Sequence, residues 1–320
     1  MVHSEYILKL ELHVAVLYVV SVEAGAGKTS VCAGLARNLT DAGKKVGYLK
    51  PNNADAEDSD LLFMKGLLQL SDNPEETNGR DVVLMEAALG PTADDAQSQT
   101  VYGAAREMQA RVIAVETYAD DAPDYADAYK GFGDALIGLV VNKVPKSRIE
   151  DVRGTAATRC NDAGVRLLGV IPESRSLLAV SAQELAERVN GTIITESEKA
   201  DGLVENFMLG AMVVGSGVDY FKLMERKAAI VRQDRPDMQL AALDTPSTCL
   251  VLGGSAEPPL YNVLERSRLR GIPVISTATP VSDIAEALDE MLLSGRMNQE
   301  KKLPLLTELV KDNLDISTLV

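Results

Sequence analysis

Tryptophan is absent from this chain of 320 residues, and four phenylalanines and nine tyrosines are its only aromatic side chains. A core here has to be built from aliphatic groups. The only histidines, His3 and His13, lie at the very start, which excludes a Ser-His-Asp site and histidine metal ligation in the body of the chain. Cys32, Cys160 and Cys249 are far apart with no Cys-x-x-Cys spacing. That excludes a disulfide framework and a zinc site, and points to a reducing, cytoplasmic setting. No stretch reaches the ~20 apolar residues of a membrane span, so a soluble chain is expected. Residues 1–13 lack the charged start and cleavage site of a secretory signal and are assigned no role. Basic residues are also scarce: 32 Lys and Arg face 47 Asp and Glu, for a net charge of −15. Such a surface repels nucleic acid and anionic lipid, so neither is an expected partner. Any anion-binding character must be local.

What is present begins with an apolar run, Val14 to Ser21, that leads into Val22-Glu-Ala-Gly25-Ala-Gly27-Lys28-Thr29-Ser30 and then an amphipathic stretch. A strand, a small-residue loop and a helix in that order form a phosphate-binding P-loop. Gly25 and Gly27 let backbone N–H groups approach phosphate oxygens, and the helix presents its positive end. Lys28 can reach the β/γ-phosphates, and Thr29 offers a hydroxyl to Mg²⁺. The motif's first glycine is replaced by Val22.

The length suits two domains, each with its own core. After a helix stopping near Gly43, strands are expected at 46–50, 81–86, 111–117, 136–142 and 164–171, with helices between them. Near-continuous apolar strands alternating with helices signal a parallel sheet covered on both faces. Ligands gather at the carboxyl ends of such strands. Lys28, Lys50, Glu86 and Asn142 all fall at those ends. Asp60 sits at a helix start, where a carboxylate also suits the helix dipole.

Taken in order, Gly27-Lys28-Thr29, Lys50-Pro51, Asp58-Ser59-Asp60-Leu61, Val83-Leu84-Met85-Glu86, Val141-Asn142-Lys143 and Val170-Ile171-Pro172 resemble dethiobiotin synthetases. They resemble more closely the dethiobiotin-synthetase-like N-terminal region of long phosphotransacetylases. The resemblance implies ATP and Mg²⁺ as cofactors. It places Gly25, Gly27, Lys28, Thr29 and Ser30 on the nucleotide and Asn142 on its base. Thr29, Asp60 and Glu86 would surround the metal, with Lys28 and Lys50 as the catalytic lysines. Where the synthetases carry glycines after the strand-end acid, this chain has Ala87-Ala88-Leu89-Gly90. Ala88 and Leu89 are expected to project into the space a synthetase substrate would fill.

A polar stretch at 196–201 marks the expected boundary, giving domains at 14–195 and 202–320. A second alternation follows, with strands at 209–214, 227–231, 248–252 and 272–276 and helices at 218–225, 234–243, 261–270 and 281–293. Asp234-Arg235-Pro236-Asp237, with Gly253-Gly254 later, resembles the DRTGG domain of long phosphotransacetylases, although Leu252 stands where that family has threonine. Read from the residues alone, Asp234 is a helix N-cap and the glycine pair a turn. The tail, 303–320, reads as at most an amphipathic helix.

The expected fold is therefore α/β: a P-loop parallel sheet with helices on both faces, then a smaller α/β domain similar to DRTGG domains. The expected function is Mg-ATP binding in a regulatory or nucleotide-sensing role, without acetyl transfer by this chain. A partner enzyme of acetate or acetyl phosphate metabolism and a homodimer follow from the resemblance. The alternative is an ATP-dependent ligase or carboxylase of the dethiobiotin synthetase type.

Overall fold

The structure is a computed structural model that describes residues 14–50, 59–70, 79–120, 126–195, 202–212, 214–293 and 299–319. Residues 1–13, residues 51–58, with Pro51 and Asp58 of the motifs above, and residues 196–201 at the expected boundary lie outside the described residues. Two compact units are present, one made of 1–174 together with 297–320, the other of 175–296. Among the described residues, no helix is long and apolar enough to cross a membrane.

The first unit runs β1 Ala15–Ser21, α1 Lys28–Asp41, β2 Val46–Leu49, α2 Ser59–Leu68, β3 Val82–Ala88, α3 Ala96–Glu107, β4 Arg111–Thr117, β5 Leu136–Val144, α4 Ile149–Asp162 and β6 Leu167–Pro172. The strands form one parallel sheet in the order β2-β3-β1-β4-β5-β6. β1, the strand feeding the phosphate loop, lies near the middle between β3 and β4. Its burial pattern shows why: after Ala15 every residue to Ser21 is buried, as a strand sandwiched between two helical layers must be. One face packs its aliphatic side chains against Tyr102 of α3, Phe132 of the 3₁₀ turn at Lys130–Ala135, and Val152, Ala156 and Cys160 of α4. α1 contributes nothing to that cluster and covers the opposite face.

The second unit contains a short antiparallel pair, β7 Val180–Ser181 with β9 Leu203–Val204, around α5 Ala182–Arg188 and β8 Thr192–Ile193. β10 Asn206–Leu209, α6 Gly217–Phe221, β11 Lys227–Arg232, α7 Pro236–Leu243, β12 Ser247–Gly253, α8 Tyr261–Arg270, β13 Val274–Ser276 and α9 Val281–Leu293 follow. β10, β11, β12 and β13 are parallel neighbours, and β8 closes the edge antiparallel to β13. This is the smaller α/β region expected from the sequence, with a core on each face of its sheet. The strand expected at 209–214 is corrected to β10, which ends at Leu209. At Gly210 a side chain would lie 2.9 Å from Val231 Cγ2 and 3.0 Å from Phe221 Cζ, so only glycine fits where the strand stops.

The boundaries 14–195 and 202–320 differ from the observed units at both ends. α10, Leu303–Asn313, belongs to the first unit, where it packs against α1 and β6. Gly34 of α1 provides the contact: a side chain there would lie 2.4 Å from Val310 Cγ2. Asn38 Nδ2 donates to Thr307 O at 3.0 Å, and Leu314 bridges to Gly169 of β6. The amphipathic tail has its apolar face covered by the first sheet's helix, a partner far away in sequence.

Asp234 does not cap a helix. The residue before α7 is Arg235, and no side chain caps that end. The Asp234 carboxylate is taken by the Arg232 guanidinium, at 2.9 Å from Nε and 2.5 Å from the terminal nitrogen. A two-pronged charge-assisted contact outcompetes a single bond to a helix N–H. Gly253 and Gly254 do form a turn. A side chain on Gly253 would press on Ile284 and Val281 of α9, while Gly254 has φ +94° and donates its N–H to Thr279 O at 2.8 Å.

Candidate nucleotide-binding site

At the carboxyl end of β1 the chain turns through Val22–Gly27 and enters α1 at Lys28. Gly25 has φ +73° and Gly27 φ +89°, the left-handed region where a side chain is strained. Gly27 is doubly constrained, because a Cβ there would lie 2.3 Å from Asn142 Nδ2. Val22 is tolerated in place of the motif's first glycine because its side chain packs against the core of the sheet.

The loop is braced on both sides. Asn142 Nδ2 donates to Ala26 O at 2.9 Å, and Asn142 Oδ1 accepts from the Lys143 N–H, also at 2.9 Å. Lys143, at φ +61°, turns its ammonium to Gly25 O at 2.8 Å. On the other side, Glu23 accepts the Thr117 N–H at 2.8 Å, while its own carbonyl accepts the Ser21 hydroxyl at 2.8 Å. The ends of β1, β4 and β5 therefore hold one rigid loop. Asn142, which the resemblance assigns to the base, is bonded to the backbone of the phosphate loop.

Lys28 Nζ donates to Ser21 Oγ at 2.7 Å. Burial lowers its pKa, opposed by the nearby Glu86 carboxylate. Thr29 Oγ1 lies 3.0 Å from Glu86 Oε2 and 3.5 Å from Asp60 Oδ2. Lys50 Nζ is 3.8 Å from Asp60 Oδ2. Glu86 is 2% exposed; burial raises its pKa, and the Tyr48 hydroxyl, Lys50, Thr29 and Lys28 work against that rise. The structure gathers Lys28, Thr29, Lys50, Asp60 and Glu86 at the head of α1. Ser30, on the first turn of α1, makes no side-chain hydrogen bond among the described residues.

The donor set suits Mg²⁺, since a hydroxyl and two carboxylates are hard oxygen ligands. Among the described residues there is no cluster of three or more His, Cys, Asp or Glu side chains. With two lysines beside two acids, the arrangement can neutralise a polyphosphate while orienting a cation next to it.

Tyr48 escapes the sequence reading. Its hydroxyl donates to Glu86 Oε1 at 2.7 Å from a side chain only 3% exposed. A phenol inside an otherwise apolar four-residue strand was the available signal, because a buried hydroxyl needs a partner. Glu23 and Lys143, which brace the loop, carried no such signal.

The expectation that Leu89 projects into a substrate space is corrected. Leu89 is buried in the core beside α3 and donates its N–H to Ser21 O at 2.9 Å. Ala88 O accepts from Gln97 Nε2 at 3.0 Å, and Gly90 N donates to Ser98 Oγ at 3.0 Å. The segment is anchored to α3, and at Gly90 any side chain would collide with Asp95.

Comparison with known proteins agrees with this division. Residues 15–119 match the family described as an AAA domain, and residues 184–291 match the DRTGG domain. The phosphate acetyltransferase of Pseudomonas aeruginosa is 25% identical over 92% of this chain and 50% of its own length. That of Pseudomonas putida is 23% identical over 94% and 51%, respectively. The Escherichia coli enzyme is 20% identical over the same shares, 94% and 51%. The chain thus spans about half the length of the curated relatives it matches. Among solved structures, the CBS and DRTGG domains of the regulatory region of Clostridium perfringens pyrophosphatase align over 52% of this chain and 77% of that one, at 15% identity and a TM-score of 0.33. The signal recognition particle receptor FtsY of Elizabethkingia anophelis aligns over 54% and 64%, at 18% identity and a TM-score of 0.37.

Proposed function

We propose that the first unit binds ATP with Mg²⁺ and that the chain acts as a nucleotide-responsive regulatory module of the phosphotransacetylase kind. The observation that carries this reading is the convergence of Lys28, Thr29, Asp60 and Glu86 at the mouth of a loop whose glycines require positive φ. Backbone N–H groups at the start of α1 and the Lys28 ammonium take the phosphates. Thr29, Glu86 and Asp60 would hold the metal, which would supply charge neutralisation beside the phosphates. Lys50 stands beside Asp60, within reach of the terminal phosphate or a second substrate. The two units are read as a sensor, with the P-loop unit taking the nucleotide and the DRTGG unit passing the response to a partner enzyme. Acetyl transfer is assigned to neither.

Isothermal calorimetry with ATP, with and without Mg²⁺, tests the reading. Binding that needs Mg²⁺ and vanishes in Lys28→Ala is the expected result. ATP affinity unchanged in a folded Lys28→Ala protein overturns it. Acetyl-coenzyme A formed from acetyl phosphate by the pure chain would overturn the regulatory assignment.

A further inference from the structure

On the sheet face that carries α3 and α4, away from the phosphate loop, the helical layer leaves a gap. A cavity of about 620 Å³ opens between the Tyr129–Leu136 segment and the end of α4, with β4 and β5 as its floor. Its walls are Ala114, Leu136, Leu139 and Val165, and Tyr129 and Cys160 add a buried phenol ring and thiol. A volume in the range of ~300–1,000 Å³ is usual for a small-molecule site, and here four charged side chains, Glu116, Lys130, Asp134 and Arg159, stand among the apolar ones.

Those polar groups are specific. Glu116, near the end of β4, has a side chain only 8% exposed and is paired with Arg159 of α4 at 2.5 Å. The same pair also lines a second cavity of about 350 Å³ toward the strand ends, so it forms the wall between the two. Arg159 spends one terminal nitrogen on Glu116. Among the described residues its remaining N–H groups meet no protein acceptor, although the side chain is 41% exposed and carries five donors. The buried carboxylate fixes the guanidinium, and the unused edge is a planar fork of the kind that takes a carboxylate through two parallel bonds. Lys130 adds a second positive charge at the mouth, where it is tied to Asp127 at 3.2 Å. Asp134 also lines the cavity, and its negative charge opposes a ligand bearing more than one negative charge.

We propose that this cavity binds a small amphipathic monocarboxylate. Its carboxylate lies on the free edge of Arg159, and its hydrocarbon body lies on Leu136, Leu139 and Val165. Glu116 is a positioning residue for Arg159. The site is separate from the phosphate loop, and its occupancy does not require the nucleotide reading to hold.

Hexanoate is the probe, with hexanol and acetate as controls, each titrated by calorimetry into the full chain. Saturable one-to-one binding of hexanoate, at least about tenfold tighter than hexanol or acetate, is expected for a site that reads both ends of the ligand. The double variant Glu116→Gln/Arg159→Gln removes the fork without leaving a buried charge. Ala163→Trp blocks the mouth from an exposed helix end. Each should weaken hexanoate by about tenfold or more, and circular dichroism decides which variants are folded. Lys28→Ala should bind hexanoate as the parent does. Absence of binding, equal binding of hexanol and hexanoate, or full affinity in either folded cavity variant overturns the proposal. Loss of hexanoate in Lys28→Ala also overturns it, by placing the ligand at the phosphate loop.

Discussion

The Tyr48 hydroxyl and the Thr29 hydroxyl hold opposite oxygens of one buried carboxylate, Glu86, at 2.7 Å and 3.0 Å. The acid is thus fixed from β2 on one side and α1 on the other. Burial also drives the Tyr48 phenol upward in pKa, so it stays a donor across the accessible pH range.

Tyr48→Phe is expected to raise the Mg²⁺ concentration needed for ATP binding by about tenfold or slightly more. The lost hydrogen bond to a charged group is worth roughly 1.5 kcal/mol. Titrating Mg²⁺ at fixed ATP measures this. An unchanged Mg²⁺ midpoint would mean that Glu86 needs no second anchor.

Gly27→Ala should destabilise the first unit by about 1–3 kcal/mol and abolish nucleotide binding, because φ +89° and the Asn142 amide both oppose a Cβ. Gly25→Ala meets no neighbouring atom, so strain at φ +73° is its only cost. Urea midpoints for the two variants should separate in that order.

Lys227 gives a pH prediction for the second unit. It is fully buried, donates to Met224 O at 3.0 Å and Pro246 O at 3.1 Å, and burial pulls its pKa from 10.5 down to about 8. The folded state therefore holds fewer protons than the unfolded chain between those values, and stability from this group rises with pH across that window. The full gain is on the order of 3 kcal/mol. Chemical denaturation from pH 7 to 10.5 should show the rise in the parent and a flatter curve in Lys227→Met.

Val310→Ala is expected to cost about 1–3 kcal/mol by opening space over Gly34, and Gly34→Val to cost at least as much by overpacking the same contact. Differential scanning calorimetry compares them. A neutral Gly34→Val would show that α10 is not seated on α1.

Much of this was legible in the sequence because the signals are local. The phosphate loop lies between a β-branched run and a helix, and α8 and α9 fall at 261–270 and 281–293, as their apolar spacing predicts. What escaped depends on partners distant in the chain. Asp60 read alone is only a first-turn acid; its place beside Thr29 and Lys50 comes from the sheet order. Tyr48, Glu116 and Arg159 gain their meaning from neighbours on other strands and helices. Asp234 looks like a cap in the sequence, but the Arg232 guanidinium two residues before it takes its carboxylate. Leu89 in place of a glycine suggests intrusion, whereas the strand continues past Glu86 to Ala88 and turns the leucine into the core.

The return of α10 to the first unit also has a consequence for biosynthesis. The bond from Asn38 to Thr307 joins residues 269 positions apart, so the apolar stripe of α1 waits for its cover until residues 303–313 have left the ribosome. The second unit, made of contiguous residues, can complete its own core first. Until α10 arrives, the helix that begins at Lys28 lacks its outer support, so a nascent chain arrested before 303 should be a poor nucleotide binder and a ready client for chaperones.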